Sequence, residues 1–193
     1  MGKVQRVRLG GRSARIQEAV HEAVEALAEE VGRGGVTVPL IATRAGVPPS
    51  TIYRRWGGLP ELLADVAVHR LRPATEPLDT GSLDGDLRAW AEQYLEEMSS
   101  AVGRAMIRDV VSDSVNSGSA GLCASYVEEQ LQVIADRTAA RGEPQLDIAA
   151  VLDLVVAPII YRTLFGRELD TENSGALVDR YWQVGTSNTN SAR

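Results

Sequence analysis

Apolar side chains recur at three- and four-residue intervals through Ile16, Val20, Ala23, Val24, Leu27 and Val31, a spacing that predicts one amphipathic helix with a single buried face. Ser13 stands where a cap belongs, and Gly32, Gly34 and Gly35 mark the end. A second helix is expected after Thr37, whose hydroxyl suits the free N–H groups of a first turn; Pro39 is tolerated there because its missing donor would go unused. Gly46 closes that helix, and Val47-Pro48-Pro49-Ser50 turns the chain. Thr51 to Trp56 then form a short third helix, and Leu59 to Arg70 a fourth.

The stretch from Arg72 to Ser82 holds Pro73, Pro77 and Gly81 and reads as a connection, dividing the chain into residues 1–70 and 71–193. Beyond Leu83, the positions Leu87, Trp90, Ala91, Tyr94, Leu95 and Met98 predict an amphipathic helix, and Ala105, Met106, Val110 and Val111 another. Asn116 to Ser119 break the pattern before a long helix from about Gly121 to Arg141, with Leu122, Tyr126, Val127, Leu131 and Ile134 on one face. A helix that is apolar nearly all round follows from Leu146 to Phe165, and a last one near Ala176 to Val184, with a frayed end after Gly185. No strand-like alternation of useful length occurs, so the fold class is all-α: a three- to four-helix N-terminal domain and a larger helical C-terminal one.

Composition changes this picture in one respect. The net charge of −6 argues against indiscriminate coating of nucleic acid, yet residues 1–70 carry 10 Lys/Arg against 7 Asp/Glu while residues 71–193 carry 10 against 19. The basic balance lies at the front, where Lys3, Arg6, Arg8, Arg12 and Arg15 form an arm suited either to a phosphate backbone or to solvent. One cysteine, Cys123, excludes an intrachain disulfide, and with only His21 and His69 beside it a structural zinc site is not expected. No cofactor is implied. The start of the chain lacks a secretory pattern, and the run from Ile148 to Phe165 is interrupted by Asp153, Pro158 and Arg162, which favours a buried or interface helix over a membrane span. A cytoplasmic protein with no membrane partner is expected. The chain also lacks a His-Glu-x-x-His pair, a glycine-rich phosphate loop and a Gly-x-Ser-x-Gly elbow, so an enzyme is not expected.

The chemistry concentrates between Thr37 and Trp56, which read as helix, tight turn, helix. Ala42 and Ala45 are small where two helices cross, Gly46 supplies the turn, and Val47 and Ile52 fill the space between. With Ile52 and Trp56 inward, Ser50, Thr51, Tyr53, Arg54 and Arg55 are left on or near the outer face of the third helix. Guanidinium groups bond guanine at two points in the major groove, and hydroxyls bond phosphates or bases. Residues 12–68 accordingly resemble the DNA-binding domain of the tetracycline-repressor (TetR) family, whose pattern is met by Thr37, Val38, Ile41, Ala42, Ala45, Gly46, Val47, Ser50, Ile52, Tyr53, Trp56, Glu61 and Leu62. The resemblance implies that Thr37 and Tyr53 hold phosphates and that the face from Pro49 to Arg55 reads bases; the expected DNA-contacting set is Thr37, Arg44, Pro49, Ser50, Thr51, Tyr53, Arg54 and Arg55. Pro48 departs from the family's usual Ser or Thr, and Gly58 and Leu59 stand where a Lys is usual, which removes one phosphate contact per subunit.

For the second domain, the all-round apolar helix demands cover on two sides. The family arrangement implies an antiparallel four-helix dimer interface with Ile159, Tyr161, Arg162, Phe165, Tyr181 and Trp182 as contacts; the alternative is the central helix of a monomeric bundle. Family members also often enclose an effector pocket, for which Trp90, Tyr94, Met98, Met106 and Tyr126 would suit a small hydrophobic or aromatic ligand, unless they are ordinary core. The expected function is a homodimeric transcriptional repressor on a palindromic double-stranded operator, released by that effector. The alternative is a helical interaction module in which the helix-turn-helix is only structural.

Overall fold

The computed structural model describes residues 11–112, 118–166 and 171–190; of the basic arm only Arg15 has a described side chain, and part of the break after the sixth helix also lies outside. All regular structure among the described residues is helical. The chain divides into two compact units between Val66 and Ala67, a boundary that falls inside one helix.

The first unit contains α1 (Gly11–Val31), a single turn of tighter helix (Arg33–Gly35), α2 (Val38–Ala45), α3 (Pro49–Trp56) and the start of α4 (Leu59–Leu71). The expected apolar face of α1 is the one buried: Val20, Ala23, Val24 and Leu27 pack with Ile41 of α2, Ile52 of α3 and Leu62 of α4. Ile41, Ile52 and Leu62 have no exposed surface, and each such side chain contributes about 1.5 to 3 kcal/mol by leaving water. Ser13 is not a cap, because α1 is already helical at Gly11.

In the second unit, α5 (Leu83–Ser99), α6 (Ala101–Ser112), α7 (Ser119–Arg141), α8 (Ile148–Val151), α9 (Ala157–Leu164) and α10 (Thr171–Asn190) follow. Their core is built from Leu87, Leu95, Leu131, Ile134, Val155 and Leu177 among others, and a satellite cluster joins Ala67 and Val68 of α4 to Met106 and Val110 of α6. α5 turns into α6 so sharply that a Cβ on Gly103 would collide with the carbonyl of Glu97. The expected single helix from Leu146 to Phe165 is interrupted: Leu152–Val156 form a wider π turn in which the Ala157 N–H bonds Leu152 C=O. Pro158 is the cause, because it has no N–H to give and its ring crowds the carbonyl four residues back. The frayed end after Gly185 is also corrected, since α10 continues to Asn190.

The segment after α4 is fastened to α7. Arg141 bonds Asp79 at 3.0 Å, the fully buried Asp86 at 2.8 Å, and Glu143; Asp86 also accepts from the Thr80 N–H at 2.6 Å. Burial pushes the Asp86 carboxyl up, but the Thr80 and Arg141 bonds outweigh it and hold it below the ordinary carboxylate range. Arg137 donates to Pro77 C=O at 2.6 Å and pairs with Glu76. Asp86→Ala would leave the Thr80 N–H without its acceptor and take one of three carboxylates from Arg141, so urea denaturation should show a loss of about 1 to 3 kcal/mol, whereas Glu76→Ala on an exposed pair should cost less than about 1.

Candidate nucleic-acid interface

Thr37 occupies the N-cap of α2 in extended conformation, and its hydroxyl makes no capping bond, which leaves it available at the protein surface. α2 ends on Gly46 at φ 65°, a left-handed setting that a side chain would strain, and the Val47 N–H returns to Ala42 C=O at 3.0 Å. α3 begins two residues before the expected Thr51, at Pro49, whose fixed φ suits the first helical position. Gly57, at φ 93°, stops it after eight residues.

Ile52 is buried at the centre of α3, and Trp56 is half-buried with its indole Nε1 donating to Asp65 Oδ2 at 2.7 Å. The same oxygen bonds His21 Nε2 at 2.8 Å and accepts from Gln17 Nε2 at 3.3 Å, so one carboxylate on α4 gathers groups from α1 and α3. Burial raises the Asp65 carboxyl, but the bonds from His21 and Trp56 and the positive charge of Arg55 outweigh it, leaving it below the ordinary range. None of these partners was expected from the sequence. Two signals were there: Asp65 interrupts an otherwise apolar run from Leu62 to Val68, and His21 sits on the buried face of α1.

The opposite face of α3 carries Pro49, Ser50, Tyr53 and Arg54, all exposed, with Thr51 half-buried at its edge. Tyr53 is 53% exposed, and among the described residues neither its hydroxyl nor the Arg54 guanidinium has a hydrogen-bond partner. Two members of the expected DNA-contacting set are engaged elsewhere. Arg55 donates to Ser13 C=O at 2.9 Å, Ser13 Oγ at 2.8 Å and Gln17 Oε1 at 2.6 Å, and its guanidinium lies 5.0 Å from the centre of the Trp56 ring. Arg44 forms a two-point pair with Glu30, both bonds 2.6 Å, at an exposed site.

The second unit separates the remaining expected residues. A cavity of about 310 Å³ is lined by Tyr94, Met98 and Tyr126, but not by Trp90 or Met106. Trp90 stacks behind Tyr94, ring centres 5.2 Å apart, with its Nε1 bound to Gln130, and Met106 fills the satellite cluster. Of the expected interface residues, Ile159 and Tyr181 are interior instead: Ile159 is fully buried, and the Tyr181 hydroxyl accepts the Asp147 N–H at 3.2 Å. Trp182 is half-buried and donates to Asp84 at 2.8 Å, and Arg162 is also half-buried. Tyr161 and Phe165 are 57% and 69% exposed, their rings in a tilted contact with centres 4.7 Å apart.

A short helix presenting hydroxyl and guanidinium groups after a glycine turn, on a unit distinct from a helical second one, defines a helix-turn-helix DNA-binding protein. Residues 21–66 match the profile of bacterial regulatory proteins of the tetR family, and residues 77–181 that of the tetracyclin repressor-like C-terminal domain. The HTH-type transcriptional regulator AqdR of Rhodococcus erythropolis is 31% identical over 169 residues, covering 83% of this chain and 80% of that protein. An uncharacterized HTH-type regulator of Mycobacterium tuberculosis is 26% identical over 161 residues, 79% of each chain. A TetR transcriptional regulator from Agrobacterium tumefaciens shares the fold with a TM-score of 0.60 at 20% identity, over 89% of this chain and 94% of that one. One from Rhodococcus sp. RHA1 does so at 0.54 and 23%, over 92% and 97%. The chain belongs to the tetracycline-repressor family of DNA-binding transcriptional regulators, which are not enzymes. No helix among the described residues is long and apolar enough to cross a membrane.

Asp65→Ala leaves the His21 and Trp56 donors without their acceptor and should lower stability by about 1 kcal/mol, the low end for a lost buried bond because the carboxylate is partly open to water. Since the folded carboxyl is held below its unfolded value, this contribution is present above the ordinary aspartate range and vanishes as pH falls through the folded value. Denaturation of the two proteins from pH 7 to pH 2 should therefore converge at the acid end; a constant difference would show that ionisation is irrelevant.

Proposed function

We propose that the protein is a cytoplasmic homodimeric repressor that holds a palindromic operator with two copies of α3 and lets go when a small apolar effector fills the cavity of the second unit. The observation that carries the DNA-reading part is the exposed and unpartnered state of Tyr53 and Arg54, beside Ser50 and Pro49. An exposed guanidinium with no protein partner loses no intramolecular bond on meeting a base edge, unlike Arg55, which must first leave Ser13 and Gln17. Arg54 is therefore assigned to base reading and Arg55 to fixing the angle of α3 against α1. Thr37 and Tyr53 are assigned to phosphates, with Thr51 at the edge of the contact. Arg44 is neutralised by Glu30 and is assigned a smaller part in the contact. In this division of labour residues 1–70, with the basic arm, form the DNA-binding head and residues 71–193 the regulatory and dimerisation domain.

Dimerisation follows from size. An eight-residue helix is roughly 12 Å long and meets only a few base pairs, so a second copy about one DNA turn away is needed for useful affinity. Tyr161 and Phe165, large aromatic side chains left in water by their own protomer, support α9 as part of the contact. For release, the effector must favour one spacing of the heads over the other, because equal affinity for both shifts nothing.

In gel shifts against the DNA upstream of its own operon, Arg54→Ala should lose about 1 to 3 kcal/mol of discrimination between operator and scrambled sequence, while Tyr53→Phe should weaken both alike. Unchanged discrimination in Arg54→Ala removes Arg54 from base reading, and the absence of any selective band in the wild type leaves the helix-turn-helix purely structural. Phe165→Glu should sediment as a monomer; a persistent dimer places the interface elsewhere.

A further inference from the structure

The effector cavity has a charge character that its apolar wall conceals. Met98, Ile107, Val127, Leu152 and Ile160 give it a hydrophobic surface, and the only charged residues among the described residues lining it are Glu97 and Glu128, both partly in solvent. No Lys, Arg or His is among them. Arg70 and Arg72 line a neighbouring groove that shares Pro73, Glu97 and Gln130 with the cavity, and the Glu97 carboxyl is raised by burial alone, with no cation bringing it back down.

The remaining polar groups bring no positive charge. Gln130 is already committed on both sides, its Oε1 to Trp90 at 2.9 Å and its Nε2 to the Thr75 carbonyl at 3.4 Å. Burial pushes the Tyr94 phenol up, and the Cys123 thiol up to about 11, so both stay protonated and uncharged at neutral pH. Tyr94 and Tyr126 are thereby left as the phenol-bearing residues of the wall, neither with a hydrogen-bond partner among the described residues. A carboxylate, sulfonate or phosphate brought here would lose part of its water, meet no cation and lie beside two acidic residues.

Resting on the reading that this cavity is the effector site, we propose that it takes a largely apolar ligand carrying no negative charge, held by shape and phenol hydroxyls, and rejects anionic ligands of the same shape. Two fluorophores share one skeleton and differ by a single anionic group: N-phenyl-1-naphthylamine is uncharged, and 8-anilino-1-naphthalenesulfonate carries one sulfonate in addition. Titrated into the full-length protein, the uncharged probe should saturate at one per protomer and bind at least about tenfold tighter than the sulfonate, a gap of about 1.4 kcal/mol. In Glu97→Gln/Glu128→Gln that gap should narrow, and in Ile160→Trp, which fills the cavity, the uncharged probe should no longer bind. Equal affinity of the two probes for the wild type, which needs no variant, overturns the charge exclusion while leaving the site intact. Failure of the uncharged probe to bind, or binding unchanged in a folded Ile160→Trp, overturns the cavity as the ligand site.

Discussion

An eight-residue helix has too few hydrogen bonds to hold its shape or heading in water, so everything that α3 does depends on what pins its inner face. Two side chains carry that burden. Ile52 is sunk in the core made by α1, α2 and α4, and Trp56 is tethered through its indole N–H to Asp65. Asp65 in turn bonds His21 and Gln17, and Gln17 accepts from Arg55, so the polar ring closes on the helix it positions. With one face fixed this way, Tyr53 and Arg54 are carried outward by helical geometry alone.

The location of the helix-turn-helix was legible because its signals are local. Gly46 marks a left-handed turn, the small Ala42 and Ala45 lie on the turn side of α2, and a single hydrophobic residue, Ile52, sits amid polar neighbours. Which arginine is free was not legible. Arg54 and Arg55 are adjacent and chemically identical in sequence; only the rotation of α3 relative to α1 brings Arg55 to Ser13 and leaves Arg54 in solvent. Arg44 shows the same limit, since its pairing with Glu30 spans fourteen residues and two helices.

Periodicity showed that the helix from Leu146 onward is apolar on several faces but not which face meets its own protomer, and Ile159 and Tyr181 proved interior where Tyr161 and Phe165 did not. Likewise Trp90 and Tyr94 look equivalent as aromatic residues one turn apart, yet the stacked pair places Tyr94 at the cavity and Trp90 behind it. The π turn before Pro158 could be suspected from a proline within a helix, but not that Val151, Val155 and Ile159 are the side chains it buries.

The account stands on paired, outward-facing copies of α3. Selecting bound sequences from a random pool of double-stranded DNA with the full-length protein tests it most directly. The predicted result is a twofold-symmetric motif whose half-sites are centred about one DNA turn, or a multiple of it, apart. Enrichment of a single asymmetric half-site, or of no sequence at all, would contradict it.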